Sequence, residues 1–191
     1  MIKEEFYFDS RDGEIRIHAV RYTPDDGNVR GIVQIVHGMA EYVERYENLA
    51  EFLTKRGILV TGEDHLGHGK SVSEGGSFGY FCEQDPATVV VRDVHRLKKI
   101  TEEQYPQVPY IILGHSMGSF IARNYLCRYG SGIGGAVIVG TGMQSAGLIF
   151  ASKAMAGIQK LFCGSKHVSH FIDKAAFGGY NLSLIHISEP T

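Results

Sequence analysis

A serine with a glycine two residues to either side, Gly114-His115-Ser116-Met117-Gly118, follows the apolar run 110–113 and precedes a helical pattern. That setting lifts a hydroxyl above a sheet edge, because the glycines permit a sharp turn and remove side chains that would collide. Such a hydroxyl offers nucleophilic attack on an electrophilic carbon. In a chain with 24 glycines the same pattern also arises as an ordinary turn, so its neighbours matter. A second motif, His37-Gly38-Met39-Ala40-Glu41, stands directly after the apolar run 32–36, where backbone N–H groups can receive an oxyanion.

Other polar residues carry weaker signals. His115 adjoins Ser116, but neighbours across a sharp turn point apart, so packing rather than base catalysis is expected. His65 and His68 with Asp64 lie in a glycine-rich loop without a ligand spacing set by helix or strand, which favours hydrogen bonding over a metal; no metal ligand is assigned. Met39, Met117, Met143 and Met155 could line an apolar binding pocket, although methionine is also a common filler of irregular core gaps.

The elements that must position these residues alternate. Phe6–Phe8 and Ile15–Tyr22 flank a Ser10–Gly13 turn and predict a hairpin. The run 32–36 is apolar at nearly every position, as in a central strand covered on both faces. Apolar spacing predicts a helix over 45–55, followed by a strand at 58–61 and the glycine-rich loop 62–71. Asp85 as N-cap and Pro86 at the first helical position open a long helix to about Gln104, with the charged run Lys98, Lys99, Glu102 and Glu103 read as solvated surface. A strand at 110–113, a helix over 120–129 closed by Gly130, and a strand at 136–139 follow. The economical architecture is α/β: a mostly parallel sheet with helices on both faces.

Length and composition set bounds. At 191 residues and 43% hydrophobic, one sizeable core is affordable. A net charge of -2 gives no footprint for nucleic acid or an anionic membrane. Cys82, Cys127 and Cys163 are widely spaced and odd in number, so neither a disulfide framework nor zinc is indicated. Without an apolar leader or a membrane-length apolar run, a cytoplasmic location is expected.

Four pieces together resemble the monoacylglycerol lipase and lysophospholipase branch of the α/β-hydrolases, over the chain up to about Asn181. They are His37-Gly38-x-x-Glu41 with Arg45-Tyr46, Asp64-x-x-Gly67-His68-Gly69-x-Ser71, Asp93 in the long helix, and Gly114-His115-Ser116-Met117-Gly118. The resemblance implies hydrolysis of carboxylic esters of single-chain acyl substrates through an acyl-enzyme. Ser116 would be the nucleophile, Met39 and Met117 the oxyanion donors, and His37, Gly38, Glu41, Gly114, His115 and Gly118 the brace around them. The expected partner is a small-molecule acyl ester, with no cofactor.

The fold orders its triad as Ser, then Asp or Glu, then His, on loops after later strands that this sequence does not supply. Asp173 and His186 satisfy the order but follow no recognisable parallel strand. Residues 182–191 read like a translated sequencing-library adapter and are set aside. The expected organisation is therefore 1–142 as the N-terminal part of the hydrolase core, 143–181 as the start of a lid, and 182–191 as a non-native tail. Such a copy is expected to be inactive alone. A peptidase or amidase of the same fold and a non-catalytic binding homologue are the rival readings.

Overall fold

The computed structural model describes residues 1–143 and 145–164. The chain divides into two compact units, Met1–Met143 and Gln144–Thr191.

The first unit is a six-stranded sheet in the order β1-β2-β4-β3-β5-β6. Strands β1 (Ile2–Asp9) and β2 (Arg16–Thr23) form the expected hairpin, and β2 pairs antiparallel with β4 (Ile58–Glu63). From there β4, β3 (Gly31–Val36), β5 (Tyr110–His115) and β6 (Gly135–Val139) run parallel. Every residue of β3 is buried, as its unbroken apolar run requires.

Its alternate side chains feed different layers. Ile32 and Val36 pack with Val90, Val94, Ile121 and Tyr125 from α2 (Pro86–Gln104) and α3 (Met117–Tyr129). Val33 and Ile35 pack with Ala50 of α1 (Glu47–Thr54) on the opposite face. Helices thus cover both faces. The one polar residue of the strand, Gln34, is satisfied within the first layer: its Nε2 donates to the Val94 carbonyl at 3.0 Å, and its Oε1 accepts from the Tyr110 hydroxyl at 2.7 Å.

Several local expectations need correction. The helix expected over 45–55 is a 3-10 turn, Val43–Tyr46, running into α1. Helix α2 starts at Pro86, but Asp85 makes no side-chain cap and sits at φ 42°; the fixed φ of proline, not a cap, sets this start. Lys98, expected in solvent, is 3% exposed. It pairs with Glu102 one turn on and lies over the Tyr110 ring, 5.2 Å from its centroid, so its charge is matched where its stem is buried. Helix α3 begins three residues earlier than 120, immediately after Ser116. Gly118 has poor helix propensity, which hid that start.

In the second unit, α4 (Ala146–Cys163) is an apolar helix that exposes Phe150, Leu161 and Phe162. No described helix is long and apolar enough to cross a membrane. Asp173, His186 and the tail 182–191 lie outside the described residues.

Candidate active site

At the C-terminal end of β5 the backbone reverses into α3 through Ser116, which adopts φ 51° and ψ −118°. A non-glycine residue at positive φ is strained and persists only where its surroundings over-determine it. Here the Ser116 amide donates to the Val139 carbonyl at 2.9 Å, and the Ser116 carbonyl accepts from the Ser119 amide at 2.9 Å and the Ser119 hydroxyl at 2.6 Å.

Both glycines of the motif mark close approaches. A β-carbon on Gly114 would lie 2.5 Å from the Gly118 carbonyl oxygen, and one on Gly118 would lie 1.9 Å from that of Val36. The start of α3 is thus seated against the end of β3. The loop that leaves β3 is the second motif, and a β-carbon on Gly38 would come within 3.2 Å of the Ser116 β-carbon. The fold therefore brings His37–Glu41 and the Ser116 turn into contact. Among the described residues, neither the Met39 nor the Met117 backbone N–H has an acceptor, and no side chain hydrogen-bonds the Ser116 hydroxyl.

The loop is held by its own polar side chains. Glu41 Oε1 accepts from the Gly38 amide, from the Tyr46 hydroxyl at 2.9 Å and from His115 Nδ1 at 3.0 Å. Burial alone would raise the Glu41 carboxyl, but these bonds, that of His115 foremost, outweigh it and hold the group below its ordinary value. Glu41 is therefore an ionised acceptor, and His115 Nδ1 must carry the proton. His37 Nδ1 meets the Gly38 carbonyl at 2.7 Å, and the His65 amide donates to His37 Nε2 at 3.0 Å. The carbonyl of Gly38 and the N–H of Met39 belong to one planar peptide, so His37 fixes the direction of the Met39 N–H. Ala40 turns the loop with φ 57°.

Beneath the site, Asp64 ties three segments together. Its Oδ1 accepts from the Val43 amide at 2.8 Å, and its Oδ2 accepts from the Lys70 amide at 2.9 Å and meets His18 Nδ1 at 2.8 Å. Gly69, at φ 49°, passes so close to this carboxylate that a β-carbon would lie 2.2 Å from Oδ2. His68 Nδ1 turns to the Leu66 carbonyl at 3.0 Å, and the His65 ring stacks on His37. Asp93 of α2 accepts from the Ser10 hydroxyl and the Arg11 amide, each at 2.7 Å, which anchors the β1–β2 turn. Burial raises the Asp93 carboxyl to about 7 in spite of those bonds.

Three features escape sequence reasoning. His18 sits between Asp64 and Glu5, whose Oε2 lies 3.0 Å from His18 Nε2. Glu63 is buried, 3.7 Å from His65 Nδ1, and neither of its carboxyl oxygens is hydrogen-bonded among the described residues. Ala40 adopts a positive φ. Glu63 falls in the loop expected over 62–71, but β4 runs on to it, and both β2 and β4 are buried along nearly their whole length, so no alternation singles out His18 or Glu63.

A family model described as "Serine aminopeptidase, S33" matches residues 27–178. A monoacylglycerol lipase of Mycolicibacterium smegmatis is 38% identical over 117 residues, 61% of this chain and 39% of that protein. The Homo sapiens monoglyceride lipase is 37% identical over 102 residues, 53% of this chain and 32% of that protein. The aligned stretches thus span 39% and 32% of the length of these two relatives. Among solved structures, a thermostable carboxyl esterase from Bacillus coagulans superposes with a TM-score of 0.74 at 37% identity, over 85% of this chain and 51% of that one. A lipase in an open form gives a TM-score of 0.81 at 27% identity, over 94% and 57%.

Proposed function

Because the chain belongs to the serine aminopeptidase (S33) family of α/β-hydrolases, we propose that it is the nucleophile-bearing part of an enzyme that cleaves carboxylic esters of single-chain acyl substrates, a monoacylglycerol or lysophospholipid. The observation that carries this reading is the backbone of Ser116, held at φ 51° between β5 and the N-terminus of α3. Strain of that kind on a serine whose hydroxyl has no partner among the described residues suits a nucleophile.

In this reading Ser116 Oγ attacks the acyl carbonyl carbon and loses its proton to a base, while the Met39 and Met117 amides receive the negative charge that develops on the carbonyl oxygen. Collapse of the tetrahedral intermediate expels the alcohol, which takes up that proton, and water then releases the acid from the acyl-enzyme. We place the base and its carboxylate partner on loops after later strands of the fold rather than at Asp173 and His186. The 191-residue chain by itself should retain only what binding and the oxyanion hole supply, at best roughly 10³ to 10⁴ over water. The names of the monoacylglycerol and monoglyceride lipase relatives support an ester substrate.

The test is fluorophosphonate labelling of the chain extended after Asn181 with the C-terminal part of a monoacylglycerol lipase relative, with and without Ser116→Ala. Labelling lost in the alanine variant supports the assignment, and equal labelling of both removes it. Faster turnover of an acyl amide than of the matched ester would move the reading to a peptidase or amidase. Tight binding of a monoacylglycerol without labelling would move it to a binding protein.

A further inference from the structure

We propose that Glu41 is a positioning residue that clamps the oxyanion loop to the nucleophile turn through a single carboxylate oxygen. The bonds to Oε1 come from three places in the chain. The Gly38 amide belongs to the loop itself, the Tyr46 hydroxyl to the turn before α1, and the His115 imidazole to the residue just before Ser116. The Arg45 guanidinium stands 3.8 Å from the other oxygen and is more than half exposed, so it neutralises charge without fixing geometry.

The relation matters because the loop and the turn leave different strands. β3 carries one and β5 the other, and the strand pairing that joins them ends at Val36 and Gly114. Beyond those residues no ladder hydrogen bond fixes the spacing of Gly38 to Ser116. Glu41 supplies the fixing: it holds Gly38 by its N–H and His115 by its ring, on either side of the point where the loop passes the Ser116 β-carbon. His37 holds the next peptide by its carbonyl. Consecutive peptide planes of the loop are thereby pinned, one by Glu41 and one by His37, and the Met39 N–H follows. An oxyanion donor is useful only when aimed at where charge develops, so a small shift in this spacing would weaken the transition state more than substrate binding.

This catalytic meaning rests on the function proposed above, whereas the clamp is a statement about geometry that can be tested without turnover. In the 191-residue chain, amide exchange at residues 37–42 and 113–117 would be followed by NMR in the native protein and in Glu41→Ala, Glu41→Gln and His115→Leu. Loss of a hydrogen bond to a charged acceptor raises local opening by about tenfold to a hundredfold. Glu41→Ala should speed exchange in both segments to that extent and leave α2 unchanged. Glu41→Gln should recover most of the protection, because its carbonyl oxygen still accepts. His115→Leu should speed exchange at Gly38, across the clamp. Long-range nitrogen–proton spectra should show the native His115 protonated at Nδ1 and that preference lost in Glu41→Ala.

Unchanged exchange in Glu41→Ala, or a glutamine variant as loose as the alanine one, overturns the proposal. If the alanine variant fails to fold, His115→Leu decides: with no effect at Gly38, the two motifs are not coupled through Glu41. A positive result here with no Ser116 labelling in the extended chain would keep the clamp and discard the hydrolase reading.

Discussion

The rings of His37 and His65 stack with their centroids 4.1 Å apart, and the His65 backbone N–H donates to His37 Nε2 at 3.0 Å. An imidazole nitrogen that accepts a hydrogen bond carries no proton, so His37 is neutral with its hydrogen on Nδ1, directed at the Gly38 carbonyl. The oxyanion loop is therefore built on an uncharged histidine, and charging that histidine would break the bond from His65.

Acid should weaken the fold through this pair. Burial first, and then the neighbouring imidazoles, hold His37 well below its ordinary 6.5 and His65 down at about 3. The unfolded chain protonates both near 6.5, while the folded chain resists. Stability present above pH 6.5 is thus lost as pH falls below it, for His65 down to about 3, by at most about 1.4 kcal/mol per pH unit for each histidine. Replacing His65 with leucine removes one of the two terms and two unbonded buried ring nitrogens, yet keeps the backbone donor to His37. Urea midpoints at pH 7.5 and 5 should converge more closely for His65→Leu than for the native chain. Parallel losses in the two proteins would rule out His65 as a source.

His18 should act in the opposite sense. Burial lowers its pKa, but the carboxylates of Asp64 and Glu5 on its two ring nitrogens outweigh that and raise it above the ordinary 6.5. A raised value means stability fully present below pH 6.5 and lost as pH rises through the folded value. His18→Gln should flatten the alkaline side of the stability profile and leave the acid side nearly unchanged. A native chain as stable at pH 9 as at pH 6, with no difference from the variant, would show His18 to be neutral.

These histidines also mark where sequence reading stops. The central strand was legible because burial on both faces leaves no polar position to disguise, and Gln34 alone breaks the run. The Ser116 turn was legible because two steric requirements fall on glycines at fixed spacing. Sequence reading makes Glu41 a brace and Asp64 a hydrogen-bonding residue but names no partner for either and passes over His18, because those partners lie 3 to 74 residues away in the chain. Lys98 was misread for a related reason: a charge on a helix looks solvated until the ring beneath its stem and the carboxylate beside its head are known. Tertiary partners, not propensity, decide such positions.

Gly118→Ala should be among the most damaging single changes in the first unit. A β-carbon there would lie 1.9 Å from the Val36 carbonyl oxygen and 2.5 Å from that of His37, both backbone atoms that cannot rotate away. Relief requires α3 to lift from β3, which opens the layer holding Ile121, Ala122 and Tyr125. A loss of about 4 kcal/mol or more is expected, beyond the usual range for one substitution. Equilibrium urea unfolding would measure it, and a cost under about 1 kcal/mol would mean that helix and strand are less closely seated than described.

Ser116→Gly should stabilise the fold relative to Ser116→Ala. Both substitutions remove the hydroxyl, so both should abolish fluorophosphonate labelling of the extended chain. They differ at the backbone, where the native residue sits at φ 51° and ψ −118°. Alanine inherits the steric cost of that conformation, about 1 to 3 kcal/mol, whereas glycine adopts positive φ freely. Glycine also raises the entropy of the unfolded chain, which offsets about 0.5 to 1 kcal/mol of the relief. The difference left is about 1 kcal/mol in favour of glycine, or roughly 2 to 4 °C in Tm for a chain of this size. The vacated space is small, because Gly38 passes near enough that a β-carbon on it would lie 3.2 Å from that of Ser116. Differential scanning calorimetry of the two variants side by side isolates the backbone contribution, since chemistry and hydroxyl are absent from both. An alanine variant equal to or more stable than the glycine variant would show that Ser116 is not strained, and the main support for its role as nucleophile would be lost.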